Sequence, residues 1–288
     1  MYTIAPQLSV GSVTLNVGNL EKMKTFYKDI LGMTIIREVA GEVHLGARDQ
    51  RHPLVVLKIL PDSADMPGRV TGLFHLALLL PSRRDLGEIL IHLLEKKRYP
   101  LTGASDHGYS EALYLSDPEG NGIEIYRDKE HSAWDIQPDG SIKGITEHMD
   151  AAGVISAARE EFSGLPAGTV MGHVHLTVSN LDMSSRYYQE KLGFTLTYDE
   201  YRGAKFLAAG GYHHHVGMNI WSGRGIALRT EAYPGLREVS FMLPDKDALD
   251  SLRKHLQSQK EAYSDSPDGA AITVVDPAQI HLRFTIQD

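Results

Sequence analysis

The chain has 288 residues, 42% of them hydrophobic and 23% charged, the make-up of a folded globular protein with room for two domains. Its formal net charge of −8 argues against a nucleic-acid-binding surface, and no apolar run approaches the roughly 18 residues of a membrane span. With 14 histidines and no cysteine, it excludes disulfides, thiolate metal sites and a cysteine nucleophile, and leaves nitrogen and oxygen donors for any metal.

The N-terminus, MYTIAPQLSVGS, shows no basic region followed by an apolar core, so a cytoplasmic location is expected. Residues 13–17 alternate like a half-buried strand. Asn19 then stands where a helix cap belongs, and Met23, Phe26, Tyr27 and Ile30 follow at helical spacing. Gly32, in LGM, is the expected helix stop, and short strands separated by turns come after it. A second unit opens near Gly72 with GLFHLALLLPSRRDL and closes on SDPEGNGIEIYRD. Residues 129–168 read as a linker. Its start is polar and turn-rich, and ITEHMDAAGVISAAREEF is predicted to be helical. A third unit begins near Gly172, with Asn180 as helix cap and Gly193 as stop. It also contains GYHHHVGMNIW, three consecutive histidines (His213, His214, His215) ahead of an apolar run. A fourth unit opens with GLREVSFMLPDKDAL and ends in DPAQIHLR.

These units are copies of one another. Residues 11–35 align without a gap on 172–196, with ten of 25 positions identical at an offset of 161. Residues 72–86 align in the same way on 235–249, at an offset of 163. The reading is therefore α+β: four βαβββ units forming two curved-sheet domains. Residues 8–128 hold an N-terminal pair of units, 129–168 the linker, and 169–288 a C-terminal pair. A unit of about 50 residues has an apolar sheet face that it cannot bury alone, whereas paired units can curve around a shared cavity.

LEKMKTFYKDILGM, LDMSSRYYQEKLGF and SDPEGNGIEIY resemble motifs of the vicinal oxygen chelate superfamily, which includes glyoxalases, bleomycin-resistance proteins and extradiol ring-cleaving dioxygenases. GLFHLALLLPSRRDL, SDHGYSEALYLSDPEGNGIEIYRD and GYHHHVGMNIW are similar to bacillus-type catechol 2,3-dioxygenases. The resemblance implies a metal site with one ligand on the first strand of one unit and two on the first and last strands of its partner. In the extradiol enzymes these are His, His and Glu, a set that suits Fe(II) with open positions for substrate and oxygen.

In those slots the first unit carries Ser12, the second His75 and Glu124, the third His173, and the fourth Glu238 and Arg283. Pairing units in chain order yields no full triad. Pairing the second unit with the third yields His75, Glu124 and His173, so a crossed pairing is expected, with the first and fourth units as a structural remainder. His175, two residues after His173, is the alternative ligand on the same strand face.

By the same resemblance His214 is the first choice for an acid/base group and His215 the second. At most two of the three histidines can share a strand face. Tyr114 and His107 match residues that contact substrate or oxygen. His131 and His148 are expected to be solvated, and His44, His52, His92 and His255 have no supporting motif.

The implied function is extradiol opening of a catechol-type aromatic diol by O2 in aromatic hydrocarbon breakdown, with Fe(II) as cofactor and Mn(II), Zn(II) or Ni(II) as alternatives. No nucleic-acid or membrane partner is implied, and a homo-oligomer is compatible with the sequence. Two other readings share the fold: a glyoxalase-like metal-dependent lyase or isomerase, and a non-enzymatic small-molecule binding protein. Loss of metal donors would mark the second of these.

Overall fold

The computed structural model describes residues 2–64 and 68–287. The first unit consists of β1 (Ser9–Val17), α1 (Leu20–Thr25), which continues as a wider π turn over Phe26–Ile30, then β2 (Thr34–Val39), β3 (Glu42–Gly46) and β4 (Val55–Ile59). The second has β5 (Gly72–Leu79), α2 (Arg83–Ile91), β6 (Gly103–Asp106), β7 (Ser110–Ser116) and β8 (Gly122–Asp128). The linker holds the two-residue strands β9 (Asp135–Ile136), β10 (Ile142–Lys143) and β11 (Glu147–His148), then α3 (Ala151–Ala157). The third unit has β12 (Val170–Thr177), α4 (Leu181–Glu190), β13 (Thr195–Tyr198), β14 (Ala204–Ala208) and β15 (Val216–Asn219). The fourth has β16 (Gly235–Leu243), α5 (Lys246–Ser258), β17 (Ser264–Asp265), β18 (Ala271–Val275) and β19 (His281–Ile286).

Local chemistry explains these boundaries. The side chains of Asn19 and Asn180 accept from the backbone N–H groups of Lys22 and Met183, closing the first turns of α1 and α4. Gly32 and Gly193 follow the two helices with φ of 72° and 79°, a region that favours glycine. The linker helix is shorter than predicted. Asp150 caps it and it stops at Ala157, with Ala158 already extended at ψ 145°.

Beside the small β9–β10 pair of the linker, two large sheets result, and each takes one unit from either half of the chain. One runs β17-β18-β19-β16-β1-β4-β3-β2, joining the fourth unit to the first through antiparallel β1 and β16. The other runs β11-β6-β7-β8-β5-β12-β15-β14-β13, joining the second unit to the third through antiparallel β5 and β12. The chain-order division at 129–168 therefore does not separate the sheets. The linker also adds a strand of its own, since β11 pairs with β6.

Chain-adjacent units meet through their helices instead. Tyr27, after α1, donates from its hydroxyl to Asp117 Oδ2 at 3.0 Å, in the DP turn of the second unit. Tyr188, in α4, does the same to Asp276 Oδ2 at 3.1 Å in the fourth. Both tyrosine side chains are fully buried, each worth about 1.5–3 kcal/mol as apolar surface removed from water. The core runs through the whole molecule, from Val13, Leu15 and Tyr27 to Leu282 and Phe284.

Candidate metal centre

Residues on one face of a sheet recur every second position, so register decides which donors meet. In the β5–β12 pair His75 lies opposite His175, and Ala77 opposite His173. Parallel β8 sets Glu124 beside Ala77, and β7 sets Tyr114 opposite Glu124. The small side chain at Ala77 leaves room for the residues around it to converge. His75 Nε2 and His173 Nε2 stand 3.0 and 3.1 Å from Glu124 Oε2. Among the described residues these three form the one group of histidine and acidic side chains whose ligand atoms lie within 4.8 Å of one another.

All three residues are buried, at 6, 3 and 2% exposure for His75, Glu124 and His173. Burial alone would push the Glu124 carboxyl up, but His173 and His75 outweigh it and hold the carboxyl well below its ordinary range. Burial lowers His173 to about 4 against the pull of Glu124, so at neutral pH its ring is uncharged, the form a metal requires. His75 Nε2 lies close to the carboxylate yet out of line for a hydrogen bond, and it has no other partner. A buried carboxylate with two imidazole nitrogens aimed at the same point is poorly satisfied by its own members. A divalent cation with nitrogen and oxygen preferences fits that donor set.

The centre opens on a cavity of about 370 Å³ lined by residues of β5 to β8 and β12 to β14, the size of a small-molecule site. Phe74, Tyr198, Phe206 and Trp221 give it aromatic walls. His175 also lines it, with its ring centroid 5.0 Å from that of His75 and its Nε2 without a partner, but it stands outside the three-residue group.

The sequence-predicted catalytic residues divide. His214 lines the cavity, with its ring centroid 4.1 Å from that of His173. Burial, then the neighbouring histidines, hold its pKa well below the usual value. Tyr114 and His107 line the cavity as well. Ile145 O accepts from His107 Nδ1 at 2.9 Å, which leaves Nε2 to accept the Tyr114 hydroxyl at 2.6 Å. Burial, then Glu124, raises the Tyr114 phenol well above its ordinary value, so it keeps its proton.

His215 is a correction. It does not line the cavity, and its Nδ1 accepts from the Ala209 backbone N–H at 3.2 Å. Of the three histidines only His214 lines the cavity, and residues 213–215 precede β15, which begins at Val216. His131 and His148 are exposed.

Sequence reasoning missed a chain of polar groups behind His214. Asp128 Oδ1 is 2.9 Å from His213 Nε2, and His213 Nδ1 is 2.8 Å from His214 Nδ1. Tyr212 donates to Asp128 Oδ2 at 2.9 Å and lies 2.8 Å from the Tyr126 hydroxyl. Tyr109 stacks on His213 at 4.3 Å between centroids. A carboxylate only accepts, so His213 Nε2 carries the proton and its Nδ1 accepts from His214 Nδ1. His214 Nε2 is then the nitrogen left as a base. Gly172 makes room for this network: a Cβ there would sit 1.8 Å from the Tyr126 hydroxyl oxygen.

The model of the Glyoxalase/Bleomycin resistance protein/Dioxygenase superfamily matches residues 9–125 and 170–279. Catechol-2,3-dioxygenase of Bacillus subtilis (strain 168) is 36% identical over 291 residues, covering 99% of this chain and 100% of that protein. Biphenyl-2,3-diol 1,2-dioxygenase 3 of Rhodococcus globerulus is 28% identical over 129 residues, 44% of this chain and 65% of that protein. The structure of glyoxalase I from Zea mays superposes with a TM-score of 0.57 at 16% identity, covering 97% of this chain and 92% of that one, a likeness of fold.

Proposed function

We propose that this chain, which belongs to the Glyoxalase/Bleomycin resistance protein/Dioxygenase superfamily, opens the ring of a catechol-type diol with O2 at an Fe(II) centre. The observation that carries the reading is the convergence of His75 Nε2, His173 Nε2 and Glu124 Oε2 at one wall of an aromatic cavity. The 36% identity to a catechol-2,3-dioxygenase over its full length supports it.

His75, His173 and Glu124 would hold the metal, each half of the chain (8–128 and 169–288) supplying one unit of the site. When bound, the metal brings diol and O2 together and passes electron density between them. His214, uncharged at neutral pH, takes a proton from the diol through Nε2 and returns it to the opened product. Asp128 and His213 hold that imidazole in the tautomer the step needs. Tyr114, its proton committed to His107, turns its oxygen to the cavity and orients the bound ring. Phe74, Phe206 and Trp221 pack around the ring. Both oxygen atoms end in the ring-opened product, and the ring supplies the electrons. The reading implies a soluble, cytoplasmic enzyme of aromatic breakdown; no helix among the described residues is long and apolar enough to cross a membrane.

The test is purification without oxygen, metal analysis, then addition of catechol and air. One Fe(II) per chain and a yellow ring-opened product are expected. Zinc or nickel with no oxygen uptake would point to a lyase or isomerase, and failure to bind any metal would leave a binding protein.

A further inference from the structure

A second cavity, of about 650 Å³, lies beyond Phe74 and His75, where the connections between the first and second and between the third and fourth units run together. Val70 pairs with Ala227 there, and Thr71 ties the two connections. Its hydroxyl accepts from the Arg229 backbone N–H at 3.0 Å and donates to Ala278 O at 2.7 Å. Arg229 lines the cavity and is only 8% exposed.

Among the described residues its guanidinium has no counter-charge, its one hydrogen bond is from Nη2 to the Tyr233 carbonyl, and neither Nε nor Nη1 has a hydrogen-bond partner. Burial lowers the guanidinium to about 10, so it stays charged at neutral pH. Leaving such a charge unpaired costs several kcal/mol, as an order of magnitude.

The surroundings are shaped around it. Gly72 and Gly235, the first residues of β5 and β16, flank the side chain at φ of 148° and 107°. A Cβ on Gly235 would sit 2.9 Å from Nη1. The one acid among the described residues lining the cavity, Glu119, is committed elsewhere, its two oxygens accepting from the backbone of Gly18 and Asn19 at 3.0 and 2.8 Å.

We propose that this cavity is a binding site for a small oxyanion, a carboxylate or phosphate, gripped by the free edge of the Arg229 guanidinium. Nη2 gives one of its two hydrogens to Tyr233, so one planar fork, Nη2 with either Nε or Nη1, stays open and matches two oxygens of such a group. Phe74, His75, Thr102 and Tyr114 line both cavities, so the anion lies next to the metal centre. It is either a free ion or the acid group of a diol that reaches through. The choice between these two sources rests on the ring-opening reading; the site itself does not.

The full chain, stripped of metal so that the probe has no metal to bind, is titrated calorimetrically with sodium sulfate and with sodium acetate at chloride-matched ionic strength. One saturable site is expected. Arg229→Met should weaken it at least about tenfold and Arg229→Lys less, as loss of a bidentate charged contact implies. Arg229→Gln, which keeps a polar side chain but not the charge, should weaken it as well, and it carries the test if Arg229→Met does not fold. No saturable binding to the wild type, or unchanged binding by a folded Arg229→Met or Arg229→Gln, overturns the proposal. Turnover then separates the sources. Sulfate that raises KM for an acid-bearing catechol alone identifies the substrate's own acid, and sulfate that leaves KM unchanged for that catechol and for plain catechol identifies a free anion. Absence of turnover with either catechol defeats the ring-opening reading and leaves the binding result standing.

Discussion

Asp128→Asn removes one charge from the chain behind His214 and little else. The carboxylate accepts from His213 and Tyr212, both at 2.9 Å, and His213 then receives His214 at 2.8 Å. An asparagine oxygen can still accept from His213 Nε2, so the first effect is loss of charge assistance. Charged hydrogen bonds contribute roughly 1.5–3 kcal/mol against about 0.5–1.5 for neutral ones. A loss of about 1.4 kcal/mol in the protonated state of His214 lowers kcat about tenfold. If the amide turns its NH2 group to His213, Nδ1 becomes the protonated nitrogen and His214 Nε2 ceases to be a base. The loss then approaches the 10²–10⁴ that a positioned acid/base group typically contributes. Steady-state ring opening read against pH, with metal content measured in parallel, is the assay. Full metal occupancy with a lowered kcat and a displaced pH profile is the expected result. An Asp128→Asn enzyme whose kcat stays within about twofold and whose pH profile is unmoved would refute the role given to this chain.

Three more outcomes follow from the same geometry. His75→Ala and His173→Ala should each cost more than the roughly 10–100-fold in metal affinity that outer residues alone can cost, while His215→Ala keeps its metal; full occupancy in either ligand variant would mean the triad is wrong. Gly172→Ala, whose Cβ would press on the buried Tyr126 hydroxyl, should cost about 1–3 kcal/mol of stability by denaturant titration and slow turnover, and a native-like midpoint would show that Tyr126 moves freely. The metal-free protein should lose stability as pH falls from about 6.5 toward 4. His173 and His215 are lowered to about 4 and about 3, so below the unfolded value the unfolded chain binds protons the folded one refuses, at up to about 1.4 kcal/mol per pH unit per histidine. Asp276, raised to about 6 by burial, acts the other way over that range but by the smaller shift, and a flat Tm between pH 7 and 4.5 would contradict the balance.

The sequence carries the positions of the three donors because each stands at a fixed distance from a motif. His173 is the counterpart of Ser12 in a gapless repeat, His75 sits in the first strand of its own unit, and Glu124 closes DPEGNGIE. Strand period then sets their common face. The polar chain behind His214 has no such signal. Asp128 and His213 are 85 residues apart and meet only because β8 and the segment before β15 converge in space. The triple histidine carries a partial signal, since His214 alone of the three lines the cavity. Alternation applies within a strand, and these residues enter one. Nor does composition reveal that the linker walls the site. Gly144, Ile145 and Thr146 line the cavity, and the Ile145 carbonyl that sets the His107 tautomer is a backbone group any residue could supply.

The other sheet shows what the shared architecture does without those donors. Its β1–β16 seam repeats the β5–β12 seam, with Thr14 opposite Glu238 where His175 faces His75. Ser12 stands in the place of His173 and bonds Ser240 at 3.0 Å, where the partner of His173 is Ala77. Arg283, beside Ser240 on β19, takes the place of Glu124, and its charge draws down the pKa of Glu238, which burial has raised. The positive charge on that surface belongs to the protein, and a metal ion would meet the guanidinium. In the sheet of the second and third units the anion is on the protein and the cation is not. The fold thus supplies two equivalent surfaces, and the sign of one side chain, Glu124 against Arg283, separates a surface that needs an external cation from one that contains its own. Because Glu124 lies on one side of the linker and His173 on the other, neither half of the chain can assemble the first surface alone.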